Sequence, residues 1–208
     1  FEDSEYFGYS HYLLNAGIST KLANNIIGQV NLQYSNYTED DYPIWTVMGL
    51  LGYQFTEEFS AGVYGRYEDF DGFEYVSVGL ETKYATNMWE FEWGTHFYLT
   101  EDGDSYDGFQ TMLVGSYHLN DQISAIGSLS HTDDDGYLYN VAGIGARWTP
   151  PLDMAALDGI FFEGMGYVGK DVDAGETFTA FKLSIGKEFG SGLEYRHKGW
   201  FENIPAWW

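Results

Sequence analysis

The 208-residue sequence predicts an all-β chain, an antiparallel up-and-down transmembrane β-barrel of about twelve strands. Three observations carry this. Apolar and polar side chains alternate one for one through segments of roughly ten residues, the period of a strand with two unlike faces. Tight turns and Asp/Glu-rich stretches separate those segments in alternation. The composition also favours strands: 26 Gly, 18 Tyr, 15 Phe and 7 Trp stand against only 4 Pro, and aromatic side chains fit a pleated surface while Gly does not extend a helix.

In chain order, strands are expected over about 5–18 and 25–37, and then over 43–56, which turns at Thr56-Glu57-Glu58 and returns as 59–69. The span 73–85 turns at Ala85-Thr86-Asn87 into 88–100, and 108–119 turns at Leu119-Asn120-Asp121 into 121–132. The spans 136–149 and 159–170 follow, and 177–189 turns at Phe189-Gly190-Ser191-Gly192 into 191–201. Residues 88–100 show the alternation best. Trp89, Phe91, Trp93, Thr95, Phe97 and Leu99 fall on one face, and Glu90, Glu92, Gly94, His96, Tyr98 and Thr100 on the other.

At the opposite end of the hairpins lie Asp40-Asp41, Glu68 to Asp71, the stretch with Asp102, Asp104 and Asp107, Asp133-Asp134-Asp135, and Lys170 to Glu176. These acidic loops hold most of the surplus charge. A net charge of −23 repels nucleic acid and anionic membrane surfaces, so neither is an expected partner. There is no Cys, which removes disulfides and thiolate metal sites. No apolar run approaches the roughly eighteen residues a spanning helix requires, so any crossing is made by strands. Phe1-Glu2-Asp3-Ser4-Glu5 is neither basic nor apolar, as expected of a mature, processed form; export is inferred from the barrel. One domain over 1–208 is expected, with a short apolar tail at 202–208 that includes Ile204-Pro205-Ala206-Trp207-Trp208.

Cations decide which face is outside. Arg66, Lys83, Arg147, Lys182, Arg196 and Lys198 lie inside strands, and a cation at mid-depth in hydrocarbon costs about 2–4 kcal/mol. They must therefore face inward, which sends Phe59, Ala61, Val63, Tyr67, Val76, Val78, Leu80, Tyr84, Phe181, Leu183 and Ile185 to lipid. A water-soluble barrel or sandwich would invert both faces. Aromatic residues at strand ends favour the membrane arrangement: Trp45, Phe55, Phe73, Trp89, Phe109, Tyr117, Tyr137, Trp148, Phe178 and Trp200 form two expected interfacial girdles.

The hairpin units Gly52-Tyr53-Gln54-Phe55-Thr56-Glu57-Glu58-Phe59-Ser60-Ala61-Gly62 and Tyr117-His118-Leu119-Asn120-Asp121-Gln122-Ile123-Ser124-Ala125 resemble the periplasmic hairpins of Gram-negative outer-membrane β-barrels, small porins included. The resemblance covers essentially the whole chain. It implies a bacterial outer-membrane location, a lipid bilayer and lipopolysaccharide as surroundings, and no cofactor. It specifies architecture, not function. Members of that class usually close on a strand with a terminal aromatic, whereas here Phe201 is followed by Glu202 and the apolar tail.

By parity the inner face carries Arg66, Glu68, Glu81, Lys83, Glu90, Glu92, His96, Arg147, Glu163, Lys182, Glu194 and Arg196 as candidate channel-lining residues. Small inward residues such as Ser77, Gly79, Gly94, Ser116, Ser124, Ser128 and Ser184 leave room beside them. Charges facing a pore set ion preference, and acidic loops concentrate cations at its mouth. The expected function is thus a porin-like passive channel for ions or small polar solutes, mildly favouring cations. A non-conducting structural barrel that assembles into homo-oligomers through loops and tail is the alternative, and a rim-located lipid-modifying enzyme the third. For an enzyme, Ser10-His11 and Ser130-His131 point to opposite faces, Ser116 and His118 share one, and His197 is followed by Lys198 where lipid A deacylases have a Ser. No catalytic residue is assigned. No metal site is assigned either: Asp102, Asp104 and Asp107 lack the EF-hand spacing, although acidic loops are able to share divalent cations bridging to lipopolysaccharide phosphates.

Overall fold

The computed structural model describes residues 11–23, 25–37, 43–70, 73–101, 104–134, 137–151 and 159–187. These form eleven strands: β1 (His11–Ala23), β2 (Ile26–Tyr37), β3 (Pro43–Gln54), β4 (Phe59–Phe70), β5 (Phe73–Ala85), β6 (Trp89–Glu101), β7 (Asp104–His118), β8 (Ile123–Asp134), β9 (Tyr137–Trp148), β10 (Ile160–Asp171) and β11 (Thr177–Lys187). Each pairs antiparallel with its chain neighbour, giving one sheet in the order β1 to β11 without a crossover. This is the up-and-down barrel topology. The expected strand at 191–201, the tail at 202–208, and Asp40, Asp41, Asp102, Asp135, Glu194 and Arg196 lie outside the described residues.

The strands run from 11 to 15 residues, enough for a tilted strand to cross hydrocarbon, which takes about 9–11. Two boundaries differ from expectation. β1 continues to Ala23, because its ladder with β2 persists through a bulge between Lys21 and Ala23. The acidic connections are also shorter than expected. Asp104 and Asp107 begin β7 and Asp133 and Asp134 end β8, with Glu101 paired to Asp104 and Asp134 paired to Tyr137. Backbone pairing does not depend on side-chain polarity, so a ladder already in register runs on into acidic sequence that water can solvate.

At the other rim three turns share one device. The Thr56 hydroxyl accepts hydrogen bonds from the backbone N–H of Glu58 and Phe59 at 3.2 and 3.0 Å. Thr86 does the same for Met88 and Trp89 at 3.3 and 3.0 Å, and the Asn120 side-chain oxygen for Gln122 and Ile123, both at 2.9 Å. A side-chain oxygen thereby satisfies two donors that the reversing chain would leave open. Outside this rim, Gly175 takes φ +74° in the β10–β11 connection, where Asp171 receives the N–H groups of Asp173 and Ala174 at 3.0 and 2.9 Å.

The exposed face is apolar along its length. On β3, Trp45, Val47, Leu51 and Tyr53 are exposed while Ile44, Thr46, Met48 and Leu50 are buried. On β11, Leu183 is 76% exposed and its neighbours Phe181 and Ile185 are 71% exposed. Rings gather at the turn rim: Tyr53 lies 5.0 Å from Phe55, Trp89 stacks at 5.8 Å on Phe91 and sits 4.5 Å from Tyr117, and Trp148 stacks at 5.7 Å on Phe162. Towards the other rim Tyr34 meets Trp45 at 4.6 Å, and Phe97 meets Phe109 at 6.2 Å. Amphipathic rings at two levels, with aliphatic side chains between them, match a bilayer's two interfaces. Phe178 is not part of a girdle. It shares the inner face with Lys182 and packs on the buried cluster described next, because parity, not nearness to a strand end, sets its side.

Inside, the two halves of the wall differ. On β7 to β10, Met112, Val114, Ile126, Val141, Met165 and Tyr167 form a buried apolar cluster, with Phe178 and Ala180 of β11 against it. Around this cluster the inner face is apolar, and the ion pair of Arg147 and Glu163 lies nearer the turn rim. Within the cluster, large apolar residues stand on both faces, for example Leu113 exposed and Met112 and Val114 buried.

Candidate functional site

The polar half of the interior is built on β2 to β6, and a further ion pair lies between β9 and β10. Arg66, Glu68, Glu81, Lys83, Glu90, Glu92, His96, Arg147 and Glu163 are all buried, and Lys182 is half-buried on the same face. Register explains the pairing. Lys83 lies directly opposite Glu92, and Arg147 directly opposite Glu163.

The Lys83 ammonium donates to Glu92 at 2.8 Å and also pairs with Glu90. Arg147 donates Nε–H and Nη2–H to one oxygen of Glu163 at 2.9 and 2.7 Å, and its guanidinium lies 4.1 Å from the centre of the Phe161 ring. Arg66 pairs with Glu68 two residues on, and Thr46 donates its hydroxyl to the same carboxylate at 2.9 Å. Buried charges placed this way avoid the penalty of an uncompensated ion.

Other inward polar groups were not singled out from the sequence. Gln29, Asn31, Gln33 and Ser35 of β2 form a buried ladder at every second residue, and Gln29 donates to Asn31 at 3.2 Å. The period-two spacing of uncharged polar residues against Val30 and Leu32 was the available signal. Tyr64 is a second omission. Its hydroxyl contacts His96 Nδ1 at 3.0 Å.

The inward glycines do not leave open space throughout. A Cβ on Gly79 would lie 2.3 Å from the Tyr64 ring, and one on Gly143 2.6 Å from Tyr167. Gly145, Gly169 and Gly186 are likewise covered by Met165, Phe178 and Phe161. Each of these large side chains lies over the glycine opposite it, so much of the room expected beside small residues is filled by their neighbours. Gly94 differs, with nothing nearer to its Cβ position than 3.9 Å.

Of the Ser/His candidates, Ser130 and His131 fall on opposite faces, and His131 contacts Asn140 at 2.9 Å. Ser10 is outside the described residues. His118 meets Ser124, Nδ1 to Oγ at 2.8 Å, and its Nε2 stands 3.6 Å from Glu90. That last separation exceeds a hydrogen bond, and Glu90 is already engaged by Lys83. Among the described residues no group of three His, Cys, Asp or Glu is placed to hold a metal ion.

No protein-family model and no curated protein matches the sequence. Solved structures do match the fold. A KdgM porin aligns with TM-score 0.61 at 10% identity, over 88% of this chain and 98% of its own. A structure of the KdgM porin in complex with disordered oligogalacturonate gives 0.60 at 11%, over 88% and 100%. A NanC porin gives 0.60 at 8%, over 87% and 96%. The fold is that of a small porin barrel. The alignment runs along nearly the whole length of each of these neighbours.

Proposed function

We propose that this chain is a passive channel of the bacterial outer membrane for ions or small polar solutes, mildly favouring cations. The observation that carries the proposal is the buried, ionised face on β4 to β6, β9 and β10, enclosed by a barrel whose outside is apolar. The architecture and location follow the porin neighbours. The ionic preference rests on charge. The buried part of the inner face holds Arg66, Lys83 and Arg147 with half-buried Lys182 beside them, and the acids Glu68, Glu81, Glu90, Glu92 and Glu163; register adds Lys21 and Asp171 at the two rims of that face. Arg66, Lys83 and Arg147 each spend their charge on a glutamate. A polyanionic sugar such as the oligogalacturonate of the KdgM complex would find those cations neutralised, while the acidic sequence at the loop rim attracts cations.

Planar-bilayer recordings across a potassium chloride gradient test the proposal. Discrete conductance with reversal on the cation side is expected, and reversal on the anion side refutes the preference. The covered glycines and the apolar inner wall favour a second reading, a sealed structural barrel. Absence of any conductance from correctly inserted protein would establish that reading over the first.

A further inference from the structure

We propose that His118 sets the ion preference of the channel, as the switchable link in a band of paired charges that crosses six strands at the turn rim of the interior. The proposal deepens the channel reading and rests on it for its role in passage. Register lays the band out. Lys83 stands opposite Glu92 between β5 and β6, and Glu90 opposite Ser116 between β6 and β7. His118 then stands opposite Ser124, Ser124 opposite Arg147, and Arg147 opposite Glu163. All share the inward face near the turn ends of their strands.

His118 is the joint between two ion-paired groups. On one side Lys83 pairs with Glu92 and with Oε1 of Glu90, while the second oxygen of that carboxylate, Oε2, faces His118 Nε2 at 3.6 Å. On the other side Nδ1 meets the Ser124 hydroxyl at 2.8 Å, and beyond Ser124 stands the pair of Arg147 and Glu163. A serine hydroxyl donates to a neutral ring nitrogen and accepts from a protonated one, so Ser124 holds the ring in either state. Protonation places N–H groups on both nitrogens and turns the Glu90 contact into an ion pair. Water reaches the ring, because the His118 side chain is 17% exposed, against 1% for Lys83 and 4% for Glu90.

Charge gives the ring its leverage. Three carboxylates, Glu90, Glu92 and Glu163, are paired with two cations, Lys83 and Arg147, so the band sums to −1 with His118 neutral and to 0 with it protonated. Histidine is the side chain that makes this change between about pH 5 and pH 8. From β8 the uncharged Ser124 and Ile126 face the ring's level. Asp121 lies in the exposed β7–β8 turn, and Glu81 stands one inward row deeper on β5, in none of the ion pairs among the described residues. Negative charge on a channel wall favours cations, and one unit weighs more in a low-dielectric interior than in water. The band therefore favours cations at neutral pH and loses that preference in acid.

Two measurements on the full chain test this. Nitrogen-15 NMR of the histidine rings in detergent micelles reads protonation without requiring conduction, with His118→Asn and His118→Gln assigning the signal. The His118 ring should pass from one protonated nitrogen to two between about pH 8 and pH 5; a ring that keeps one form across that range overturns the proposal. In planar bilayers the cation-to-anion permeability ratio of the wild type should fall by roughly two-fold or more over the same range. In both His118 variants it should stay level, and Glu90→Gln should favour cations less at neutral pH. A ratio that ignores pH in the wild type, or an equal fall in the His118 variants, overturns the proposal. A barrel that never conducts while its ring titrates keeps the charge step and sinks the channel reading, whereas a conducting barrel with a level ratio keeps the channel and sinks the part given to His118.

Discussion

Replacing Arg147 by Met is the sharpest test of how the interior is held. Arg147 gives two N–H groups to one oxygen of Glu163 and lies over Phe161, and both partners of the ion pair are buried. Arg147→Met keeps most of the volume but leaves the Glu163 carboxylate uncompensated. Breaking a buried pair from one side costs about 3–5 kcal/mol, and the lost guanidinium–ring contact adds about 0.5–2 kcal/mol. Arg147→Met/Glu163→Met removes both charges, and a buried pair exchanged for packed apolar groups is close to neutral or better. The double variant should therefore recover most of the loss, to within about 2 kcal/mol of wild type, a remainder set by the ring contact. Urea unfolding in lipid vesicles, followed by Trp fluorescence and analysed as a double-mutant cycle with Glu163→Met, supplies the four free energies. A cost below about 1 kcal/mol for Arg147→Met, or a double variant as unstable as the sum of the singles, would refute the reasoning.

Four further outcomes are expected. Gly79→Ala places a Cβ against the Tyr64 ring and the Thr95 carbonyl oxygen and should cost about 1–3 kcal/mol by overpacking. Gly65→Ala, on the lipid face with nothing within 4 Å, should change stability by less than about 0.5 kcal/mol in the same urea titration. Asn120→Ala removes the acceptor for two backbone N–H groups and should cost about 1 kcal/mol, while Asn120→Asp retains it and should lose less. Leu183→Arg, at one of the most exposed apolar positions of β11, should weaken insertion by about 2–4 kcal/mol relative to Leu183→Ala if it lies near mid-depth. In a water-soluble barrel that arginine would be harmless.

Much of this architecture is legible in sequence because a strand's period is two, and one misplaced cation is expensive in lipid. Assigning Arg66, Lys83, Arg147 and Lys182 to one face fixed the side of every neighbour, and Thr56, Thr86 and Asn120 marked their turns. Pairing was less legible. That Lys83 meets both Glu92 and Glu90, or that Arg147 covers Phe161, depends on inter-strand register, which short turns set only once their lengths are known. The apolar inner wall escaped for a different reason. Met112, Val114 and Met165 alternate with other apolar residues, so parity has no polar partner to contrast them with. Space was the least legible feature. Gly79 and Gly94 look alike in sequence, but a Cβ at Gly79 would run into the Tyr64 ring and the Thr95 carbonyl, whereas one at Gly94 would meet only ordinary contacts. The amide ladder on β2 was visible in principle, but its residues carry no charge and so drew no constraint from the membrane.

The assignment of faces is measured most directly by electron paramagnetic resonance of single spin labels, for which a chain without Cys is already suited. With Cys introduced at Val47, Leu51, Val63 or Leu183, the barrel in vesicles should give labels accessible to oxygen and shielded from a water-soluble nickel complex. Labels at Thr46, Ser77 or Ser116 should be shielded from oxygen dissolved in the acyl chains. Loss of this period-two pattern, or its inversion, would contradict the account at its root.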